Sequence, residues 1–243
     1  MSLRISNSSL SLRRKVALIT GASQGIGLAI ARALAEEGCN LVITSRKEDT
    51  LAKARKKLGS RVLTSICDVR DPVSVQNLMT AVKSRFHRLD ILINNAGVAH
   101  PNLNVHDLPL DSWREVIDTN LTGMFLVTRA ALPLMKSGAV ILNNLSIAAQ
   151  RVFPGSSAYN ASKHGALGFT NTLREELREK GIRVIALLPG ATDTAIWNTF
   201  WPDAPRKKMM RPETVAQAVV NALVLPTEST VEELVIMPSV GTL

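Results

Sequence analysis

Two residues capable of acid–base chemistry, Tyr159 and Lys163, lie four positions apart at the start of a predicted helix. Side chains at this spacing project from one face of a helix, about one turn apart. A tyrosine has an ordinary pKa of about 10 and exchanges protons poorly at neutral pH, but an adjacent ammonium favours its phenolate. The pair therefore predicts a tyrosine that acts as an acid or base. Tyr159 is the single tyrosine among 243 residues.

Two polar residues precede this pair. Ser146 follows a predicted strand, thirteen residues before Tyr159, where its hydroxyl is suited to hold a carbonyl oxygen. Asn120 lies within a predicted long helix and, taken alone, is an ordinary helix-surface amide. Lys163, taken alone, is an ordinary solvated charge. Residue types and spacing are therefore compatible both with a catalytic site and with ordinary polar residues on the surface.

A glycine-rich turn, Thr20-Gly21-Ala22-Ser23-Gln24-Gly25-Ile26-Gly27, joins the first predicted strand to the first predicted helix. Gly21 permits the tight turn, Gly25 lets the backbone approach a pyrophosphate, and Gly27 lets the helix pack closely on the strand. Free N–H groups and the dipole at the helix N-terminus favour an anion there. Strand, turn and helix in this order indicate a dinucleotide site.

The end of the second predicted strand indicates which dinucleotide is bound. It reads Thr44-Ser45-Arg46-Lys47, with no carboxylate before Glu48. An NAD site typically places an acid here for the adenosine ribose, whereas an NADP site has a group that accepts the 2′-phosphate. Arg46 can pair bidentately with phosphate, and Ser45 can donate its hydroxyl. We predict NADP(H) in preference to NAD(H), the alternative being that Arg46 is a surface charge.

Further motifs complete a set that runs in one order over residues 15–240. The set comprises TGxxxGxG at 20–27, Asp68, NNAG at 94–97, Asn120, Ser146, YxxxK at 159–163, and Pro189-Gly190 followed by Thr194. With these motifs the chain resembles the short-chain dehydrogenase/reductase family, of the type that includes 3-oxoacyl-carrier-protein reductases. The resemblance implies hydride transfer between a nicotinamide and a carbonyl or secondary alcohol substrate.

The resemblance also implies site roles. Tyr159 would protonate the developing alkoxide, and Ser146 would orient the carbonyl. Lys163 would lower the Tyr159 pKa and bind the nicotinamide ribose, while Asn120 would hold a water on the proton path. Asn94 would contact the cofactor or, equally, tie adjacent strands through its amide. The expected cofactor-binding residues are Gly21, Ser23, Gln24, Gly25, Ile26, Gly27, Ser45, Arg46, Asp68, Val69, Asn94, Ala96, Gly97, Tyr159, Lys163, Pro189, Gly190, Thr192 and Thr194.

Two of these residues, Asp68 and Val69, follow the third predicted strand and are candidates for adenine contacts. Asp68 also fits a simple strand-end cap. His100 follows the NNAG turn, and we expect it on a loop surface. The histidines at 87, 100, 106 and 164 lack ligand-like spacing, so no catalytic metal is expected.

Short apolar runs alternate with helix-length amphipathic segments from residue 15 onward. Nearly continuous apolar strands are typical of a parallel sheet covered on both faces. We predict an α/β fold, a single Rossmann-like doubly wound domain over 15–243, preceded by a disordered basic leader at 1–14. The predicted strands are Val16–Thr20, Asn40–Thr44, Arg61–Ile66, Leu89–Asn94, Ala139–Leu145, Ile182–Leu188 and Glu233–Met237. The predicted helices are Gly25–Glu37, Thr50–Leu58, Pro72–Phe86, Asp111–Lys136, Ala158–Lys180 and Pro212–Leu225.

One connection, at about 190–211, is unusually long for a loop in a compact domain. It contains Trp197, Phe200 and Trp201. We expect these aromatic side chains to fold over a hydrophobic or aromatic carbonyl substrate. The alternative, a core anchor or a subunit contact, has equal weight because aromatic residues dominate packing and interfaces alike.

Composition excludes several classes of partner and location. The net charge is +9, from 29 Lys+Arg against 20 Asp+Glu, but the basic clusters carry no interleaved aromatic residues, so nucleic-acid binding is not expected. No apolar run reaches the roughly 18 residues of a membrane helix. Two cysteines cannot form a disulfide framework, which favours a reducing compartment, and we expect the cytoplasm.

Three other functions are compatible with a dinucleotide-binding fold of this kind. A 3-oxoacyl-carrier-protein reductase would use the basic residues Lys180, Arg183 and Arg206–Lys208 against an acidic carrier. The short turn at 135–138 and the ending Met237-Pro238-Ser239 depart from such enzymes and favour a general carbonyl reductase. An NADP-binding sensor without catalysis would commonly lack the Tyr, Lys and Ser described above, and an epimerase or dehydratase would usually add a substrate domain. The resemblance further implies a homotetramer or homodimer, built on the two longest predicted helices.

Overall fold

The structure, a computed structural model, describes residues 11–59 and 62–242. Residues 1–10 of the expected leader and Arg61 of the third predicted strand lie outside the described residues. Leu12 is buried in the core, the Arg14 N–H donates to the Gly38 carbonyl at 2.9 Å, and the Cys39 thiol donates to the Leu12 carbonyl at 3.2 Å. The packed part of the chain therefore begins before residue 15, where we had expected the domain to start.

Seven parallel strands form one sheet, as predicted. They are β1 (Val16–Ile19), β2 (Asn40–Ser45), β3 (Val62–Ile66), β4 (Ile91–Asn94), β5 (Val140–Asn144), β6 (Arg183–Pro189) and β7 (Glu233–Ile236). Their order is β3-β2-β1-β4-β5-β6-β7, with every neighbouring pair parallel. The chain reverses its direction of sheet growth between β1 and β4, and this switch point opens a crevice at the carboxyl ends of the strands.

Helices cover both faces of the sheet. They are α1 (Gly25–Glu36), α2 (Glu48–Leu58), α3 (Pro72–Phe86), α4 (Leu110–Ile117), α5 (Gly123–Ala131), α6 (Ser157–Arg178), α7 (Trp197–Phe200) and α8 (Pro212–Leu223). Ile30 of α1 and Val219 of α8 belong to the apolar cluster on one face, whereas Leu78 of α3, Val127 of α5 and Leu173 of α6 belong to the cluster on the other. The doubly wound architecture is therefore confirmed. No helix of the described residues is long and apolar enough to cross a membrane.

The helix predicted over Asp111–Lys136 is a continuous helical segment over 110–134, but it is not α-helical throughout. The structure divides it into α4, a π-helical turn at Asp118–Thr122 and α5, and the last turn at Leu132–Leu134 is a 3-10 helix that contains Pro133. The π turn contains Asn120, whose buried amide bonds to groups outside its own helix. A π turn inserts one extra residue in the helical repeat and commonly re-aims a side chain at a functional site.

The long connection at 190–211 is folded. It contains α7, a 3-10 turn at Arg206–Lys208 and a parallel bridge between Thr192 and Met210. The bridge joins the start of the connection, after β6, to its end, before α8, and α7 lies in the chain between them. The connection is a compact unit with its own hydrogen bonds, which is the form that long functional loops commonly take.

Candidate active site

A cavity of about 780 Å³ lies at the carboxyl ends of the strands. This volume falls within the range of ordinary ligand and cofactor sites. One end is formed by the residues that follow β1, β2 and β3, and the other by the start of α6 and by the connection at 190–211. All the residues expected to bind cofactor line this cavity except Asn94.

The glycine-rich turn forms one wall. Gly21 has a φ of +63°, and a Cβ atom there would lie 2.8 Å from the Ala96 Cα, so only glycine fits. Gly25 opens α1 with a φ of +58°. The helix has no acidic residue in its first turn, and Gln24 gives it no side-chain cap, so its first N–H groups face the cavity unneutralised. This cradle of backbone donors fits the diphosphate of a dinucleotide.

Asn95, which sequence reasoning did not single out, holds this turn in place. Its side-chain amide donates to the carbonyls of Thr20 and Gly21 at 2.9 and 3.1 Å and accepts from Asn144 at 2.8 Å. The Thr20 hydroxyl in turn accepts from the backbone N–H groups of Asn95 and Ala96. These bonds join the ends of β1, β4 and β5. Asn95 is the second Asn of the NNAG motif, in which we had assigned a contact only to the first Asn.

Ser45 and Arg46 line the cavity at the end of β2, as expected, together with Lys47. The Arg46 guanidinium lies 3.5 Å from the Glu115 carboxylate, and both side chains are about half exposed. An ion pair between exposed groups contributes little free energy. Arg46 therefore remains available to an anionic ligand that enters this end of the cavity.

Asp68 also lines the cavity, but its carboxylate is engaged. The Arg70 guanidinium donates to both oxygens, at 3.0, 3.1 and 2.6 Å, and this bonding holds the pKa of Asp68 below its usual range. The Arg70 backbone N–H donates to the same carboxylate at 3.0 Å. Neither of the two roles predicted for Asp68, an adenine contact and a strand-end cap, included Arg70 as a partner. Val69 lines the cavity beside it.

Tyr159, Ser146 and Lys163 meet at the opposite end of the cavity. Burial raises the pKa of the Tyr159 phenol, and a hydrogen bond with the Ser146 hydroxyl acts in the lowering direction. The Lys163 ammonium lies 5.5 Å from the centroid of the tyrosine ring. The sequence expectation of a lowered phenol pKa is therefore wrong for this structure, in which desolvation is the largest effect.

Lys163 is not a solvated charge. Its side chain is buried, its ammonium donates to the Asn144 carbonyl at 3.1 Å, and burial lowers its pKa to about 8. Desolvation disfavours the charged form of an amine, which explains the direction of this shift. The carbonyl at the end of β5 is thus the group that holds the ammonium beside the phenol.

Asn120 and Asn94 lie behind the cavity wall rather than in it. The Asn120 amide accepts from the Val98 N–H at 2.8 Å and donates to the Val98 carbonyl and the Ser162 hydroxyl at 2.9 and 3.0 Å. The Asn94 amide donates to Thr128 and to the side chain of Asn143, at 2.9 and 2.8 Å. For Asn94 the structure matches the strand-tying alternative, because its side chain points away from the cavity.

The three aromatic residues of the long connection line the cavity beside Tyr159. The ring centroids of Phe200 and Tyr159 are 5.6 Å apart, and Trp197 lies 5.6 Å from Phe200 and 6.5 Å from Trp201. Such distances are typical of packed aromatic pairs. Phe153, which was not predicted, adds to the same apolar lining.

Charge is distributed unevenly along the cavity. Among the described residues that line it, Arg46, Lys47 and Asp68 come from the ends of β2 and β3, and Lys163 lies at the tyrosine end. His100 is outside the lining and buried, with its Nδ1 2.6 Å from the Pro101 carbonyl, so our expectation of a surface histidine is wrong. The tyrosine end therefore combines one ammonium with a mainly apolar wall.

Comparisons with known proteins agree with this geometry. The chain matches the short chain dehydrogenase family over residues 15–205. It is 36% identical to sulfoacetaldehyde reductase 2 of Chromohalobacter salexigens, over 92% of this chain and 94% of that protein. An uncharacterized oxidoreductase of Staphylococcus saprophyticus is 36% identical, over 93% of this chain and 98% of that one.

Two solved structures have similar folds. The 3-ketoacyl-(acyl-carrier-protein) reductase of Brucella melitensis, complexed with NADH, aligns with a TM-score of 0.86 at 30% identity over 94% of this chain and 99% of its own. The alcohol dehydrogenase of Thermococcus sibiricus, complexed with 5-hydroxy-NADP, aligns with a TM-score of 0.86 at 33% identity, over 93% and 97%.

The buried ammonium predicts a pH dependence of stability. The folded protein releases the Lys163 proton at about pH 8, whereas the ordinary pKa of lysine is 10.5, so the free energy of unfolding should rise with pH between these values. The measurement is urea unfolding in a Tyr159→Phe background, which removes the phenol titration. There the free energy of unfolding of the parent, minus that of the Lys163→Met variant, should rise by up to about 1.4 kcal/mol per pH unit in this window.

The exposed Lys180 supplies the matched control. Its own substitution, Lys180→Met, should leave the difference in unfolding free energy independent of pH over the same window. A flat profile for Lys163→Met as well would contradict the lowered pKa.

Proposed function

The chain belongs to the short chain dehydrogenase family, and we propose that it reduces an uncharged, apolar carbonyl compound with NADPH. It is an oxidoreductase acting on CH–OH groups and uses a nicotinamide cofactor. The observation that carries the proposal is the meeting of Tyr159, Ser146 and Lys163 at the end of the cavity that the aromatic wall covers. The cofactor, when bound, supplies the hydride.

Tyr159 is the proton donor in this proposal. Because burial raises the pKa of its phenol, the hydroxyl keeps its proton at neutral pH and can give it to an oxygen that becomes negative. Ser146, whose hydroxyl lies close enough to influence the pKa of the phenol, would hold the same carbonyl oxygen and stabilise its developing charge.

Lys163 keeps positive charge beside the phenol. With a pKa of about 8 it is mostly an ammonium at neutral pH, and the Asn144 carbonyl fixes its position. Its remaining N–H groups would hold the nicotinamide ribose. Asn120 acts as a positioning residue, because its amide clamps the backbone of Val98 at the cavity wall.

The opposite end of the cavity would hold the adenosine half of the cofactor. The cradle at Gly21 and Gly25 fits the diphosphate, and Thr194 packs against this turn. Arg46 and Ser45 would bind a 2′-phosphate, because the end of β2 offers no carboxylate to bind ribose hydroxyls instead. These residues support NADP(H) over NAD(H).

The substrate end favours an uncharged molecule. The name of one relative, sulfoacetaldehyde reductase 2, describes an anionic substrate. A sulfonate needs a cation to replace its hydration, but among the described residues Lys163 is the only charged one lining this end, and it is engaged by the Asn144 carbonyl. Trp197, Phe200 and Phe153 instead supply apolar surface. We therefore propose a hydrophobic or aromatic ketone or aldehyde as substrate.

Two arginines argue against a carrier-protein partner. Arg183 donates to the carbonyls of Leu223, Leu225 and Ser229, at 3.2 to 3.3 Å. Arg206 bonds to groups of its own connection. Two of the five basic residues that would meet an acidic carrier are thereby engaged, which leaves Lys180, Lys207 and Lys208. We also place the protein in a reducing compartment such as the cytoplasm, because both of its cysteines are free.

We propose a homo-oligomer that covers the exposed faces of α5 and α6. Phe125 is 42% exposed, packs edge-on to Phe169 at 6.2 Å and lies under the Arg129 guanidinium at 5.2 Å. Light scattering should give a multiple of 26.3 kDa for the native chain and a smaller mass for Phe125→Glu. Val73→Glu, at a valine of α3 that is 66% exposed, should leave the mass unchanged. A monomeric native chain would refute the proposal.

Replacing Tyr159 with Phe should abolish reduction. Oxidation of NADPH by an aryl ketone, followed by absorbance, should fall about 10²- to 10⁴-fold in Tyr159→Phe, because the proton donor is lost. NADPH binding, followed by fluorescence, should be nearly unchanged and serves as the control. Ketones of equal size that carry a sulfonate should react more slowly with the native enzyme. Equal rates of NADPH oxidation in the native and variant enzymes would refute the mechanism.

Replacing Arg46 tests the cofactor preference. Arg46→Gln should raise the dissociation constant of NADPH about tenfold or more, because a charge-assisted bond to the 2′-phosphate is lost, and should leave that of NADH unchanged. Lys53→Gln, at an exposed lysine of α2, makes the same charge change as a control. Equal weakening of both cofactors by Arg46→Gln would argue for a general charge effect.

A further inference from the structure

The connection at 190–211 is closed at its base by backbone hydrogen bonds. The Asp193 N–H donates to the Met210 carbonyl at 2.9 Å, and the Met210 N–H donates to the Ala191 carbonyl at 3.0 Å. The Trp197 indole N–H also donates to the Thr192 carbonyl, at 2.8 Å. The base is therefore fixed, and the indole bond ties Trp197, the first residue of α7, to it, whereas the rest of α7 depends on other contacts within the connection.

One side chain reaches that segment at three points. The Arg206 guanidinium donates through Nε to the Asp193 carboxylate at 2.6 Å, through Nη2 to the Thr194 carbonyl at 2.7 Å, and through Nη1 to the Asn198 amide oxygen at 3.3 Å. We call these four residues the Arg206 clasp. The planar guanidinium presents its donors as a fork of fixed geometry, whereas a lysine presents three rotatable donors from a single nitrogen.

Two partners of Arg206, Thr194 and Asn198, belong to segments that form different ends of the cavity wall. Thr194 packs against the glycine-rich turn, with its methyl group 3.2 Å from where a Cβ on Gly25 would lie. Asn198 belongs to α7, in which Phe200 packs on Tyr159. A single guanidinium thus links the residue beside the proposed diphosphate site to the helix that forms the substrate wall.

We propose that Arg206 is a positioning residue that sets the substrate wall in advance and couples it to cofactor binding at Thr194. The inference rests on the proposed reduction of an apolar carbonyl. A wall held in its productive position spares the substrate the entropic cost of ordering it. Loss of the clasp should therefore raise the KM for the carbonyl more than it lowers kcat, since Arg206 itself does not line the cavity.

Tryptophan fluorescence tests the clasp without turnover. The chain has three tryptophans, so a Trp113→Phe background leaves only Trp197 and Trp201, both in the connection. Acrylamide quenching of this emission should increase about twofold or more in Arg206→Ala, because α7 becomes more mobile. NADPH should reduce quenching in the parent and have little effect in the variant. Lys208→Ala, at an exposed lysine of the same turn, is the matched control.

Kinetics provide the second measurement. Arg206→Ala should raise the KM for an apolar ketone about tenfold, the equivalent of one charge-assisted hydrogen bond, with a smaller change in kcat. Arg206→Lys, which keeps the charge but loses the fork, should recover only part of the effect. Asp193→Asn provides a milder variant if Arg206→Ala folds poorly, and thermal midpoints identify any general loss of stability.

The outcomes separate the two proposals. Quenching and KM in Arg206→Ala equal to those in Lys208→Ala would overturn the clasp, whatever the enzyme reduces. Increased quenching in Arg206→Ala, together with no NADPH oxidation by any carbonyl in the native enzyme, would support the clasp and refute the proposed reduction.

Discussion

The contact between the Lys163 ammonium and the Asn144 carbonyl is the constraint around which the site is built. A buried cation must find a fixed acceptor, because the protein interior does not replace its hydration. The end of β5 supplies that acceptor only if α6 is held against the sheet. The side chain of Asn143 does this by donating to Thr170 of α6 at 2.9 Å while accepting from Asn94 of β4. Two strands and a helix are thus fixed by side-chain amides, and the phenol of α6 takes its place as a consequence.

Burial has opposite effects on the two titrating groups of this end. It lowers the pKa of the lysine and raises that of the tyrosine, because in each case the charged form loses solvation. The result is a protonated phenol beside an ammonium of moderate acidity, an arrangement prepared to give a proton. The apolar wall from α7 packs directly on the phenol, with the ring centroids of Phe200 and Tyr159 5.6 Å apart.

The two ends of the cavity are lined by different kinds of chemical groups. The nucleotide end uses backbone N–H groups at the start of α1 and charged side chains at strand ends, which suit a polyanion that approaches from solvent. The other end uses aromatic side chains from a long connection. Such a connection gains order through specific contacts. Here these are the Arg206 guanidinium, the bridge at Thr192 and Met210, the indole bond of Trp197 and the packing of Phe200 on Tyr159.

The amino-acid sequence by itself determined the seven parallel strands, the glycine-rich turn and the placement of Tyr159 and Lys163 on one helix. These features follow from apolar periodicity and from spacing within a single element, which are local. The tertiary structure alone decided that the helix containing Asn120 breaks into a π turn, that Asn94 faces Thr128, and that Arg206 reaches Thr194. It also decided the direction of the phenol pKa. Each of these depends on partners or burial supplied by residues distant along the chain, and no local pattern specifies which groups the fold brings together.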